Sequence, residues 1–307
     1  MRGRLIAAFA AVYIVWGSTY LAIRFAVETL PPFLMAGARF AIAGGILLAW
    51  GRIRSPSVGP TRLDWRTGFV SGLLLLVGGN GGVVWAEQRV PSGITALLVA
   101  IVPLWMVLLD WFRPGGRRPP GLVFAGLGLG LAGLALLVGH DALHAHGEID
   151  VVGAMVLVLA SLSWAAGSLF TKHAPRASSG GNGAATQMIA GGALLLAAGL
   201  VTGELARLDL AHASARSLLG FLYLVTFGSL IGFTAYFYLL AHTTAAKAAT
   251  YAYVNPVVAV ILGWAIANEP VSMRTMLAAA VILAGVAIIT VARDSDVVVP
   301  AGEKAAA

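Results

Sequence analysis

Apolar positions in this 307-residue chain fall in long runs rather than in a two-residue or helical alternation. Each run covers roughly 18 to 24 residues, enough to cross a hydrocarbon layer of about 30 Å at about 1.5 Å per residue. Windows of about 19 residues predict ten spans, near 5–24, 33–50, 67–86, 92–112, 121–139, 151–171, 184–202, 217–240, 246–267 and 272–292. The turns between them, such as RIRSPSVGPTR and RPGGRRPP, are too short for a soluble domain. Residues 294–307, DSDVVVPAGEKAAA, are expected to form a disordered cytoplasmic tail.

Composition turns this helical pattern into a membrane protein. The chain is 59% apolar and 11% charged, and its mean hydropathy is +0.88, which excludes a single soluble core. There is no Cys, hence no disulfide framework and no thiolate metal site. The start, MRGRLIAAFAAVYIVWGSTY, has the basic head of a signal peptide but continues as a full span, and it reads as an uncleaved first helix. The net charge of +7 is a topology signal rather than a nucleic-acid patch. Arg24, Arg89, Arg207, Arg216 and Arg274 are the only basic residues in the loops of one side, and the surplus lies in the other set. By the positive-inside rule both termini are cytoplasmic, which predicts a multi-pass protein of the inner (plasma) membrane in contact with the lipid bilayer.

The pattern also repeats. Ala245 to Pro270, shifted back by 153 positions, lies without gaps over Ser92 to Arg117, with Pro256 on Pro103, Trp264 on Trp111 and Ala249 on Ala96. A proline inside a helix removes one backbone bond and clashes with the carbonyl a turn earlier, so the matched pair predicts two interrupted helices shaped by Pro103 and Pro256. LAGLALLV near 131 echoes LAGVAIITV near 283, and Trp16-Gly-Ser echoes Trp164-Ala-Ala-Gly-Ser. Five spans on each side of residue 145 force the second half to enter the membrane in the opposite sense. The expected fold is therefore an all-α integral membrane protein of two inverted five-helix repeats, 1–145 and 146–293. The pairs Gly68/Gly72, Gly78/Gly82, Gly126/Gly130 and Gly228/Gly232 predict close helix packing; they argue for bundling, not for a dimer, and the oligomeric state stays open.

WGSTYLAIRFAVETLPPFLMAGARF, GGNGGVVWAEQRVPSGITALLVAIVPL and ATYAYVNPVVAVILGWAIANEPVS carry a resemblance over nearly the whole chain to the EamA family of the drug/metabolite transporter superfamily. The resemblance implies two inverted repeats around a central cavity, with the fourth and ninth helices crossing, and efflux of small metabolites. The chain departs from internal symmetry at one place. Asn268-Glu269-Pro270 follows the ninth span, whereas Pro114-Gly115-Gly116 follows the fourth and supplies no acid.

Polar groups inside a bilayer cost free energy unless they pair or line a cavity, so they are the candidate site. Trp16, Ser18, Thr19, Tyr20, Arg39, Asn80, Trp85, Trp164, Ser168, Gln187, Tyr236, Tyr251 and Asn255 form the candidate solute-binding set. Trp16 and Trp164 at mid-depth favour a cavity wall, with packing between helices as the other reading. Arg39 is either a site for a carboxylate or phosphate of the solute or half of a structural pair with Glu87 or Asn80. Asn255 either meets solute or bonds a carbonyl freed by Pro256. Tyr251, Tyr253 and Asn255 cannot all face one cavity from a regular helix.

No acid occurs in the middle of a span, and Glu87 and Glu269, at span ends, are the candidates for proton coupling. His140, His144 and His146 lie in the loop HDALHAH, where an exposed histidine is usually solvated, and neither a metal nor a cofactor is expected. The reading is a non-enzymatic carrier exporting small metabolites, amino acids or drugs by alternating access. Its alternatives are import, uncoupled exchange and, further off, a membrane-embedded enzyme.

Overall fold

A computed structural model describes residues 2–56, 59–113, 119–143, 150–174, 182–243, 248 and 251–295. Among them are ten long helices and no strand. Seven are long and apolar enough to cross a membrane: α1 Gly3–Ala26, α2 Pro32–Arg54, α3 Arg62–Ala86, α4 Ser92–Phe112, α6 Val151–His173, α7 Asn182–Val201 and α8 Ala215–His242. Three further apolar helices complete the set: α5 Gly121–Leu143, α9 Tyr251–Ala267 and α10 Met273–Ser295. Each predicted span falls within or against one of them. The histidines His144 and His146 and the tail from 296 lie outside the described residues.

Packing follows a two-fold scheme that interleaves the halves. Helices α2 and α7, α4 and α9, and α5 and α10 each pair with their own counterpart. The remaining contacts come in matched sets, α1 on α8 and α9 mirroring α6 on α3 and α4, and α2 on α8 mirroring α7 on α3. Because lipid supplies no apolar drive between helices, close approach has to come from small side chains. A methyl on Gly192 of α7 would stand 2.7 Å from the backbone nitrogen of Ala41 and 2.9 Å from the Gly37 carbonyl oxygen of α2. The four predicted glycine pairs all contribute a residue to contacts of this kind within the chain.

Wide, π-helical turns recur at equivalent places, Gly72–Gly81 in α3 and Leu224–Ile231 in α8. Such turns leave carbonyls without a regular helical partner, and the opposite half supplies donors. Ser163 Oγ donates to the Leu74 carbonyl at 2.8 Å, and Trp16 Nε1 donates to the Gly228 carbonyl at 3.2 Å. A third wide turn, Val12–Trp16, sits in α1 and has no match in α6.

The prolines behave differently from expectation. Helix α4 does break, at the turn Ala100–Ile101, and Pro103 stands in the first turn of the segment that resumes at Val102. Helix α9 runs unbroken through Pro256. The neighbour of each proline is the physical difference. Asn255, with its amide nitrogen turned toward the acceptors, donates to the carbonyls of Tyr251 at 3.3 Å and of Tyr13 at 3.1 Å, tying this stretch of α9 to the wide turn of α1. The equivalent place before Pro103 holds Val102, which has no side-chain donor.

Helix starts are capped by two routes. Thr61 and Asp64 form a reciprocal capping box on α3, while Asp150 and Ser214 cap α6 and α8. Helices α2 and α4 begin after Pro31 and Pro91, whose side chains accept no hydrogen bond. Their open N–H groups are met by carboxylates of the other half. Glu204 accepts from Phe33 (3.2 Å) and Leu34 (2.9 Å), and Glu269 accepts from Ser92 (2.8 Å) and Gly93 (3.1 Å). Asn268 ends α9 at φ +52°, the left-handed corner that asparagine tolerates, and this aims Glu269 at α4. Gly263 keeps that route open, since a methyl there would overlap Glu269 Oε2.

Candidate functional site

Where α1, α2, α3, α4, α6, α8 and α9 converge, the helices leave a cavity of about 60 Å³, large enough to admit water. Its wall is formed by Trp16, Thr19, Tyr20, Ile23, Arg39, Gly79, Asn80, Val83, Val99, Trp164, Phe233, Tyr251 and Asn255. The two halves both contribute, and the wide turn of α3 supplies Gly79 and Asn80.

One side of the cavity is an aromatic layer. The equivalent tryptophans Trp16 and Trp164 meet edge to face with ring centres 5.5 Å apart. Around Trp16 lie Phe233 at 5.3 Å, Tyr236 at 4.9 Å and Tyr251 at 5.4 Å. The polar tips are tied within the layer: Trp164 Nε1 donates to Tyr251 Oη at 3.0 Å, and the hydroxyls of Ser168 and Tyr236 pair at 3.0 Å. Such an arrangement fixes ring faces and edges as contact surfaces for an apolar or cationic group.

Opposite in chemistry is Arg39, 2% exposed. Its Nε donates to Ser229 Oγ at 2.7 Å, and its guanidinium carbon stands 4.5 Å from the centre of the Phe40 ring. Nη1 has no acceptor within the protein. Neither of the anticipated structural pairs is present as a contact: Glu87 is buried and both its carboxyl oxygens lack a partner, and Arg39 bonds Ser229 instead. A guanidinium carries five donors in a rigid fork and can pair with a carboxylate or phosphate, and Arg39 keeps Nη1 without an acceptor while its side chain lines the cavity.

Of the residues anticipated from sequence, Trp16, Thr19, Tyr20, Arg39, Asn80, Trp164, Tyr251 and Asn255 line the cavity together. Tyr251 and Asn255 share a face because they are four apart. Five stand elsewhere. Ser18 turns to α8, bonding Tyr223 Oη at 2.6 Å and the Val15 carbonyl. Trp85 lies under the guanidinium of Arg89 at 5.0 Å. Ser168 and Tyr236 support the aromatic layer from behind. Gln187 is 1% exposed and is packed away from the wall, with neither amide atom partnered by the protein. The wall residues that sequence reasoning passed over are Ile23, Gly79, Val83, Val99 and Phe233. Four are ordinary apolar residues of membrane helices; only Gly79, inside GGNGG, carried a local signal. Among the described residues no three of His, Cys, Asp and Glu converge as a metal site would require.

Comparison with known proteins agrees with this architecture. The model of the EamA-like transporter family matches twice, over residues 3–139 and 151–291. The inner membrane transporter YedA of Escherichia coli (strain K12) is 40% identical over 293 residues, covering 94% of this chain and 91% of its own. A probable amino-acid metabolite efflux pump of the same strain is 27% identical over 165 residues, 52% of this chain and 51% of the pump. One solved crystal structure superposes with a TM-score of 0.65 at 22% identity, covering 94% of this chain and 98% of that one, a likeness of fold. The two half-chain matches, the interleaved five-helix halves and the membrane-length helices place this chain in the EamA-like transporter family, as a multi-pass protein of the inner membrane.

Proposed function

We propose that the protein is a carrier that exports small amphipathic metabolites through the central cavity by alternating access, its two inverted halves rocking about the solute. The observation that carries this reading is the pairing, at the junction of the halves, of an aromatic layer with a buried arginine that keeps an open donor. A solute with an apolar or cationic body and one anionic group is complementary to that wall: the anion docks on Arg39 and the body rests on Trp16 and Trp164. Zwitterionic amino acids of modest size belong to this class, and the related efflux pump's name is in keeping with it. The cavity volume favours small solutes unless the halves open. Both termini are placed in the cytoplasm by the surplus of Lys and Arg in one set of loops, which orients α2 and α4 to begin at the outer face.

Counterflow into proteoliposomes tests the carrier reading. Preloaded vesicles are expected to accumulate labelled amino acid above empty vesicles, and flux with the imposed gradient reversed reports whether import or uncoupled exchange describes the protein better. No counterflow of amino acid, small carboxylate or aromatic cation sinks the proposal. Arg39→Ala is expected to weaken anionic and zwitterionic solutes about tenfold, the worth of a charge-assisted hydrogen bond, while sparing cations. Equal loss of all three classes would make Arg39 a structural residue.

A further inference from the structure

The wide turn of α8 holds two side chains of the cavity wall without lining the cavity itself. Ser229, fully buried, accepts from Arg39 Nε at 2.7 Å, and the carbonyl of its neighbour Gly228 accepts from Trp16 Nε1 at 3.2 Å. Neither residue stands in the wall. Gly228 also makes room for the guanidinium, since a methyl there would stand 3.2 Å from Arg39 Nη2 and 3.0 Å from Thr19 Cγ2. Nε and Nη2 therefore lie against α8, while Nη1 has no acceptor within the protein. Helices α1 and α2 belong to the first half and α8 to the second, so one turn of one half sets two contacts of the other.

The turn itself does not need the hydroxyl. A shift of 153 positions places Ser229 on Leu76 and Gly232 on Gly79, within the equivalent wide turn of α3. The glycines keep a common duty: a methyl on Gly79 would stand 2.9 Å from the Trp164 ring, and one on Gly232 would overlap the Trp16 ring. Leu76 is as buried as Ser229 but offers no acceptor. The hydroxyl is thus an addition in one half only, and what it touches is Arg39.

We infer that Ser229 is a positioning residue that makes the site select solutes with an anionic group, by fixing the Arg39 fork before the solute arrives. The inference rests on the reading of Arg39 as the solute's anion contact. An arginine side chain has many rotamers, and ordering it at the moment of binding would consume part of the gain. The bond to Ser229 orders it in advance. A hydroxyl does so without cancelling the positive charge, whereas a carboxylate in the same place would neutralise the guanidinium that the anion is to meet. Cations rest on the aromatic faces and do not draw on this bond.

The test compares butyrate and butylammonium, an anion and a cation of one carbon skeleton, on the full chain in detergent at neutral pH, with tryptophan fluorescence reading binding. The ratio of the two affinities is taken within each variant, so that a fraction of unfolded protein does not alter it. Ser229→Ala is expected to lower butyrate affinity about three- to tenfold and to leave butylammonium within about twofold. Ser229→Thr, which keeps the hydroxyl, should restore the ratio. Gly228→Ala, whose methyl crowds Nη2, should lower it from the other side of the same contact. Butyrate affinity that is unchanged or raised in Ser229→Ala, while Arg39→Ala still loses it, overturns the positioning role and leaves Arg39 as the anion contact. Equal loss of both solutes, or no recovery in Ser229→Thr, makes Ser229 a packing residue and overturns the role as well. Butyrate binding that is absent from the unaltered protein, or indifferent to Arg39→Ala, overturns the anion-contact reading itself and the positioning role with it.

Discussion

Glu204 and Glu269 each present two carboxyl oxygens to a pair of backbone N–H groups across the boundary between the halves, whereas the carboxyl of Glu87, no less buried, meets no donor. All three acids stand at the same end of the bundle, after α7, α9 and α3 respectively. What separates them is the helix start that each one faces. Pro31 and Pro91 leave α2 and α4 without a side-chain cap of their own, and a carboxylate at a helix start is favoured both by the open N–H groups and by the helix dipole. Arg24 donates to the backbone carbonyl of Glu87 and Arg39 to Ser229, so neither arginine bonds the Glu87 carboxyl. The first two acids tie the halves together at that end; the carboxyl of the third bonds no donor.

The comparison breaks most visibly through stability. Glu269→Ala leaves two buried N–H groups without acceptors, and Glu204→Ala leaves one buried and one part-buried; at about 1–3 kcal/mol each, each variant is expected to unfold with a loss of about 2–6 kcal/mol in mixed micelles, Glu204→Ala toward the lower end. The Gln variants should lie between, since one carbonyl oxygen replaces two carboxyl oxygens. Glu87→Gln removes no hydrogen bond, and its unfolding is expected within about 1 kcal/mol of the parent; a loss matching that of Glu269→Ala would erase the distinction between the two capping acids and Glu87. Pro256→Ala should be smaller still. It leaves α9 continuous and trades the chain stiffness of a proline, about 0.4–1 kcal/mol, for the backbone N–H bond that a mid-helix proline removes, so the net change is expected near zero, which hydrogen exchange on α9 can follow.

The smallest effect is expected at Asp209, an exposed acid on the same side. Its carboxyl is held below the usual carboxylate range, chiefly by hydrogen bonds with the His212 side chain and backbone. A lowered value means that any stability it lends is present at neutral pH and fades only as the pH falls through that value. Since both side chains are open to water, Asp209→Asn should leave the melting temperature at pH 7 unchanged. A measurable drop there would show that exposure does not divide these acids as argued.

Several parts of the site were legible because their cost in a bilayer is visible in the residue type. Arg39, Asn80 and the paired tryptophans are out of place in a lipid-facing helix, and all four line the cavity. Ser18, Ser168 and Tyr236 carry the same signal but satisfy it within the protein, against Tyr223 and against each other. Type alone does not distinguish a polar group that faces a cavity from one that faces a neighbour. Ile23, Val83, Val99 and Phe233 were silent for the converse reason, since an apolar wall residue and an apolar lipid contact look alike in sequence. The prolines mislead in a third way: Pro103 and Pro256 align, yet Asn255 braces α9 while nothing comparable braces α4.

By itself the sequence determined the membrane, the number and length of the spans and the internal duplication, because each follows from hydrophobicity and period along a single chain. Which helices touch, which acids cap and which residues share the cavity were decided only in the tertiary structure. Those depend on the crossing of helices from opposite halves, where a carboxylate such as Glu269 finds its partner 177 positions away at Ser92. No local pattern encodes a hydrogen bond whose geometry exists only once both repeats have packed.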